Sequence, residues 1–215
     1  MLKNIEKEYS FIVNNWDKVV FLQQISDFFI TKKKTINISE LNYEKTRKHD
    51  KFKNAWVRIR KIIDKQDEKI ELTYKQYLWT QNWMNNFLEM TEVVQNFSWD
   101  IFLFNQIGNL NISCRLKEML LKMNDFCKMK PWIKIENTRN LYYYTYKNCV
   151  LEVADERIRY FLWEKMYDEK MLEIEIISEL YDSKKVKEFV DYFCDKYELI
   201  IPSEWKSERV KKFLK

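Results

Sequence analysis

Glu6-Lys7-Glu8 near one end of this chain and Glu173-Ile174-Glu175 near the other each set two carboxylates at positions i and i+2. Arg58-Ile59-Arg60 does the same with guanidinium groups, and Glu71-Leu72-Thr73-Tyr74-Lys75 repeats the spacing with mixed charge. In a strand such positions share one face. Oxygen-only ligation by Glu6, Glu8, Glu173 and Glu175 suits a hard cation, Mg²⁺ or Mn²⁺, and not zinc; Glu89 and Asp155 are further carboxylate candidates. The arginine fork and the lysine point charge suit phosphate oxygens. Arg139 joins Arg58, Arg60 and Lys75 in that role, as do Lys206 and Arg209, three apart on one side of a short helix. A plain core cannot hold such a face, because buried charge costs several kcal/mol unless it is paired or bound to a counter-ion. The pattern therefore points to a closed, water-filled barrel that binds metal and a polyanion.

Other chemistries are poorly supplied. His49 is the only histidine, which argues against His-ligated zinc and against Ser-His or Cys-His catalysis; it sits in a charged run and reads as a loop residue. Cys114, Cys127, Cys149 and Cys194 are scattered without metal-ligand spacing and read as free thiols of a cytoplasmic protein. No apolar run approaches the ~20 residues of a membrane span, and the N-terminal residues lack the apolar stretch of a signal peptide. The formal charge of +5 allows an anionic ligand without demanding nucleic acid. Hydrophobic residues make up 46%, so a full core is available, and no Pro/Gly/Ser-rich linker divides the 215 residues; one domain over 1–215 is expected. With Gly108 the only glycine, Asn and Asp are expected at many positive-φ positions.

The elements that must carry these residues follow from periodicity. Ile5–Val13 reads as a first strand. A helix is predicted from about Trp16 to Phe29, with Val19, Leu22, Ile25 and Phe29 as its apolar stripe. Segment 31–54 reads as loop-rich, with a short strand around Thr35–Leu41. Trp56–Ile63 and Lys69–Tyr77 form a hairpin across Asp64-Lys65-Gln66-Asp67, and Phe87–Val94 is a further strand. Ser113 caps a helix to about Lys128. Trp132–Glu136, Arg139–Tyr146 and Cys149–Asp155 form a second antiparallel set, followed by Met171–Ile177, a helix capped by Ser183 and a short helix over Ser203–Leu214. Short connections favour an antiparallel sheet. The expected class is α+β: an antiparallel, closed β-tunnel of roughly eight strands with flanking helices.

Taken in order, these motifs resemble the CYTH family of triphosphate tunnel metalloenzymes. Glu6-Lys7-Glu8-Tyr9-Ser10 is similar to its opening Glu-x-Glu-x-Lys, with Ser10 in place of the lysine. Val57-Arg58-Ile59-Arg60 and Leu72-Thr73-Tyr74-Lys75 resemble its Arg-x-Arg and Leu-Thr-x-Lys strands, and Leu88-Glu89-Met90-Thr91-Glu92 a later acidic strand. Asn137-Thr138-Arg139 keeps half of a Lys-x-Arg strand. Leu151–Asp155 resembles the strand with a tunnel aspartate, and Leu172-Glu173-Ile174-Glu175-Ile176 the second Glu-x-Glu. Trp205-Lys206-Ser207-Glu208-Arg209 resembles a C-terminal Ser-Lys-x-x-Arg; region 76–112 has no counterpart.

The resemblance implies metal-dependent hydrolysis of a triphosphate-bearing substrate: inorganic tripolyphosphate, or a nucleoside or thiamine triphosphate. In that reading Arg58, Arg60, Lys75, Arg139, Lys206 and Arg209 clamp the triphosphate, Glu6, Glu8, Glu173 and Glu175 hold Mg²⁺ or Mn²⁺, and Glu89 or Asp155 orients the attacking water. The same resemblance covers adenylyl cyclisation and removal of an RNA 5′-triphosphate. The lost lysine leaves open a non-catalytic module that senses a nucleotide or polyphosphate. A plain α+β domain with exposed charged strands is the structural alternative.

Overall fold

The computed structural model describes residues 5–13, 19–81, 84–99, 102–162, 164–202, 209, 210 and 212. Among them run nine strands: β1 (Ile5–Ile12), β2 (Gln24–Ile25), β3 (Phe28–Lys45), β4 (Ala55–Asp64), β5 (Asp67–Gln81), β6 (Met84–Val94), β7 (Met129–Tyr146), β8 (Cys149–Leu162) and β9 (Lys165–Ile176). Helices α1 (Leu103–Gln106) and α2 (Cys114–Cys127) lie between β6 and β7, and α3 (Ser183–Tyr197) follows β9. The strand order is β3-β4-β5-β6-β1-β9-β8-β7, and β7 pairs back onto β3, so eight strands close a barrel while β2 extends it. Each pairing is antiparallel.

Strand alternation turns the usual arrangement inside out. Outward side chains build the cores, and inward ones line a hollow. Phe11, Leu151, Val153, Leu172 and Ile174 face out from β1, β8 and β9 and are covered by Val186, Phe189, Val190 and Phe193 of α3. On the other side Val57, Ile59, Leu72 and Tyr74 of β4 and β5 meet Leu116, Leu120 and Met123 of α2. Each fully buried side chain of this kind contributes roughly 1.5–3 kcal/mol. Ser113 caps α2 by accepting from the Leu116 N–H at 3.3 Å. The cap of α3 is Asp182, one residue before the expected Ser183, accepting from Lys184 and Lys185.

Three expected elements differ. Of the helix expected from Trp16, residues 16–18 lie outside the described residues, and 19–29 are not helical; they carry β2 and the start of β3, and Val19, Phe21, Ile25 and Phe28 pack in the α3 core. The loop-rich reading of 31–54 holds only after Lys45; before it the expected short strand around Thr35–Leu41 is part of the longer β3, whose length comes from pairing with both β4 and β7. Trp132–Glu136 and Arg139–Tyr146 are parts of one strand, β7. Nor does Asn dominate the left-handed positions: besides Asn96, Ser26, Lys65, Lys128, Lys147 and Glu198 have φ between 50° and 57°. Of the expected C-terminal helix, residues 203–208 lie outside the described residues, whereas 209, 210 and 212 are helical. No described helix is long and apolar enough to cross a membrane.

Candidate functional site

The barrel encloses a hollow of about 2060 Å³ whose lining includes Glu6, Glu8, Arg58, Arg60, Lys75, Glu89, Arg139, Glu173, Glu175 and Arg209. Strand parity delivers them. In β1, Tyr9 and Phe11 are held in the outer core, so Glu6, Glu8 and Ser10 point in. Val57 and Ile59 do the same for Arg58 and Arg60, Leu72 and Tyr74 for Lys75, and Leu172 and Ile174 for Glu173 and Glu175. Register then sets neighbours: Glu8 stands opposite Glu175, Glu175 opposite Glu152, and Lys75 opposite Glu89.

Lys75 is the centre of one charge cluster, its side chain only 5% exposed. Its Nζ contacts Glu6 and lies 3.0 Å from Glu8 Oε2 and 3.7 Å from Glu89 Oε2. Burial alone would lower its pKa, but Glu8 and Glu6 reverse that and hold it above the ordinary lysine value. Arg58 bridges Glu89 (3.7 Å) and Glu40 (4.0 Å), and Arg60 reaches the same Glu40 at 3.3 Å. Burial and the neighbouring Arg58 lower the pKa of Arg60. Across the hollow, Arg139 pairs with Glu156 at 2.7 Å and Glu173 at 3.1 Å. Burial works against ionised Glu89, yet Arg58 and Lys75 hold its carboxyl well below the usual range. Thr91 Oγ1 also donates to Glu89 Oε1, at 2.7 Å.

The sequence reading missed three inward carboxylates, Glu40, Glu152 and Glu156. They join Glu6, Glu8, Glu71, Glu89, Glu173 and Glu175 in the lining, where Arg58, Arg60, Lys75 and Arg139 stand among them and Lys34, Lys69 and Arg209 add further positive charge. Glu175 carries the consequence: burial, then Glu152 and Glu8, push its pKa up to about 7. Parity on β8 could have found Glu152 and Glu156, which share a face. It also separates them from Asp155, which is absent from the lining; Asn140 Nδ2 donates to its Oδ2 at 3.0 Å, and burial raises its pKa. Arg209 lines the hollow near one end, paired with Glu169 at 2.8 Å beside Met171. Lys206 lies outside the described residues. His49 packs against Phe52 and Phe126.

The donor chemistry fits a divalent cation: the candidate ligands are all carboxylate oxygens, and the buried Glu6 Oε2 and Glu89 Oε2 are held by ion contacts to Lys75 and Arg58 that a bound cation would replace. Among the described residues no three acidic, histidine or cysteine side chains are already gathered tightly enough to grip an ion; Lys75 sits where Glu6 and Glu8 converge. The hollow also carries anion donors to spare, since the Nε groups of Arg58 and Arg60 are buried and make no hydrogen bond among the described residues. A buried donor left unmade costs about 1–3 kcal/mol, and a ligand that accepts from it recovers that cost.

No protein-family model and no curated protein matches the sequence. Solved structures match in three dimensions. HpAC1 from Hippeastrum, an adenylyl cyclase by name whose dominant activity is that of a triphosphatase, is 14% identical over 97% of this chain and 96% of its own, with a TM-score of 0.57. A Bacillus halodurans protein assigned as an adenylate cyclase is 12% identical over 94% of this chain and 95% of its own, with a TM-score of 0.51. Closed antiparallel barrel, inward charge and these likenesses agree: the chain shares the closed-tunnel fold of these two proteins, the fold expected from the resemblance to the CYTH family.

Proposed function

We propose that the tunnel binds a triphosphate-bearing substrate together with Mg²⁺ or Mn²⁺ and hydrolyses its terminal phosphoanhydride. The observation that carries this reading is the mixture in one hollow: buried Arg58 and Arg60 Nε groups that make no hydrogen bond among the described residues, beside the inward carboxylates of Glu6, Glu8, Glu89 and Glu175. An anion alone would satisfy the first and be repelled by the second. A cation-loaded polyphosphate satisfies both.

Arg58, Arg60 and Lys75 on one wall and Arg139 on the opposite wall would take the phosphate oxygens, exchanging their present carboxylate partners for them. Glu6, Glu8 and Glu175 would hold the cation, with Glu152 beside Glu175 as a fourth donor; Glu173 is the weaker candidate because Arg139 engages it. Bound there, the cation supplies charge neutralisation and Lewis acidity. Glu89, kept ionised by Arg58 and Lys75, is placed to orient a water for attack on the terminal phosphorus. The P–O bond to the next phosphate then breaks and inorganic phosphate leaves. Positioning and charge stabilisation do most of the work, and no covalent nucleophile is required.

The test is phosphate release from tripolyphosphate, ATP, thiamine triphosphate and 5′-triphosphorylated RNA with Mg²⁺ or Mn²⁺. Glu6→Gln and Glu175→Gln are expected to abolish it with the fold intact, and Arg60→Ala chiefly to raise KM. Normal turnover by all three variants would remove the assignment. One observation favours a second reading, a non-catalytic sensor: Ser10, where the resembling motif has lysine, donates to Glu8 at 3.3 Å and brings no positive charge. Tight binding of every substrate without turnover would establish it.

A further inference from the structure

On the wall that carries Arg139, two inward positions hold neutral side chains. Ser10 follows Glu8 on one face of β1, Asn137 precedes Arg139 on one face of β7, and both line the hollow. Ser10 stands opposite Glu173 in the β1–β9 register. Arg139 links the two positions: it pairs with Glu173 at 3.1 Å and with Glu156 Oε1 at 2.7 Å, and Asn137 Nδ2 donates to that same Glu156 oxygen at 3.1 Å. The hydrogen-bonding capacity left over is all of one kind. The Ser10 hydroxyl donates to Glu8 at 3.3 Å, so its oxygen is left to accept. Asn137 Oδ1 is buried and makes no hydrogen bond among the described residues. Apolar side chains border the amide. Ile158 stands opposite Asn137 in the β7–β8 register, Met171 stands opposite Glu156 in the β8–β9 register, and both are buried in the lining.

We infer that Asn137 and Ser10 form a specificity subsite for the hydroxyl groups of a pentose joined to the triphosphate. The inference rests on the triphosphate reading of the tunnel and selects a sugar-bearing triphosphate over the bare inorganic chain. Ionised phosphate oxygens only accept. A phosphate brought against Asn137 Oδ1 would set acceptor against acceptor beside Glu156, and neither Ser10 nor Asn137 supplies a cation to offset it. An ammonium group is also poorly suited, because Arg139 already balances Glu156 and Glu173. An uncharged hydroxyl meets the need: it donates to the amide oxygen and removes the cost of a buried acceptor without a donor. The C–H face of a sugar ring matches Ile158 and Met171, and a mostly apolar lining with a few placed polar groups is the usual make-up of a small-molecule site. A site built to bond a substrate hydroxyl rejects the analogue that lacks it, since its own buried group is then left unpaired.

The experiment compares kcat/KM for ATP, 2′-deoxy-ATP, 3′-deoxy-ATP and tripolyphosphate in the wild type, Asn137→Ala and Asn137→Lys. The wild type is expected to prefer ATP to tripolyphosphate and to lose about tenfold or more on one of the two deoxy compounds. Asn137→Ala is expected to bring ATP down to the level of that deoxy compound, so that the two are turned over alike; a merely structural role would lower all four compounds together. Asn137→Lys puts a cation where the acceptor stood and is expected to turn the preference toward tripolyphosphate. If turnover is too slow to measure, the same ratios are read from dissociation constants by calorimetry. A wild type that favours tripolyphosphate or ignores both missing hydroxyls overturns the subsite while leaving the triphosphate tunnel standing, whether or not the variants fold. Discrimination that persists in Asn137→Ala does the same. Failure of all four compounds to bind the wild type overturns both.

Discussion

Lys75 shows how much rests on single side chains. It is nearly sealed from solvent and is the cation shared by Glu6, Glu8 and Glu89. Removing one partner of a buried ionic group typically costs about 3–5 kcal/mol, because the remaining charge has no solvent to return to. Lys75→Met is therefore expected to lower stability by about 3 kcal/mol in metal-free buffer, with part of the loss recovered by Mn²⁺; chemical denaturation with and without the ion measures both. Glu175 gives a pH signature of opposite origin. Its pKa is raised from 4.5 to about 7 by burial, Glu152 and Glu8, so the folded chain holds that proton more tightly than the unfolded chain. Stability from this group is complete below about pH 4.5 and is lost as pH rises through 7. Metal-free melting curves are expected to show that decline, and Glu175→Gln to flatten it. The charged pairs were legible at this scale because i, i+2 spacing fixes a common face whatever the strand's neighbours. Glu40 falls within the expected strand around Thr35–Leu41 but has no charged partner at i±2 to mark its face, and Asp155 has the opposite parity on β8 from the inward Glu152 and Glu156.

At the scale of elements, legibility tracked apolar contrast. Strands β4 and β5 alternate charge with Val, Ile or Leu and lie within about four residues of their expected bounds, whereas only the second half of β9, from Met171, was legible. Helix α2 was found with its cap, since Ser113 precedes a clear apolar stripe. Strand β3 was legible only as a short strand around Thr35–Leu41 because Lys32, Lys33, Lys34, Asn37 and Ser39 leave few apolar residues to set a period; its full length comes from two long pairing partners that no local window contains. The Val19, Leu22, Ile25 and Phe29 stripe failed for the converse reason: helical spacing arose in a segment whose backbone is claimed by β3 and by packing under α3. The tight turns make a prediction of their own. Lys147 turns the β7–β8 hairpin at φ 51°, a left-handed conformation that costs a side-chain-bearing residue about 1–2 kcal/mol. Lys147→Gly relieves that strain against the extra entropy of glycine, and a net gain of up to about 1 kcal/mol is expected by equilibrium denaturation.

The whole molecule places its apolar cores outside a barrel and its charges within, a division in which the two helices α2 and α3 cover opposite arcs of the wall. That layout was inferred from the sequence on one physical ground, that like charges at alternating positions cannot be packed into a dry core, and the closed sheet agrees with it. What no stretch of sequence could give is the balance of the interior, because carboxylates from β1, β3, β5, β6, β8 and β9 meet only once the barrel closes. Arg60, Lys75 and Arg139 are each already paired with carboxylates, so a polyanion must displace those partners and should bind weakly until cations enter with it to hold the released carboxylates. The direct measurement is titration calorimetry of tripolyphosphate into the metal-free protein and into the protein with Mn²⁺. Binding that is weak or absent without the ion and tightens at least about tenfold with it, a gain of ~1.4 kcal/mol or more, is the predicted result. Equal affinity in both conditions, or no binding in either, would contradict a tunnel built to take triphosphate and metal together.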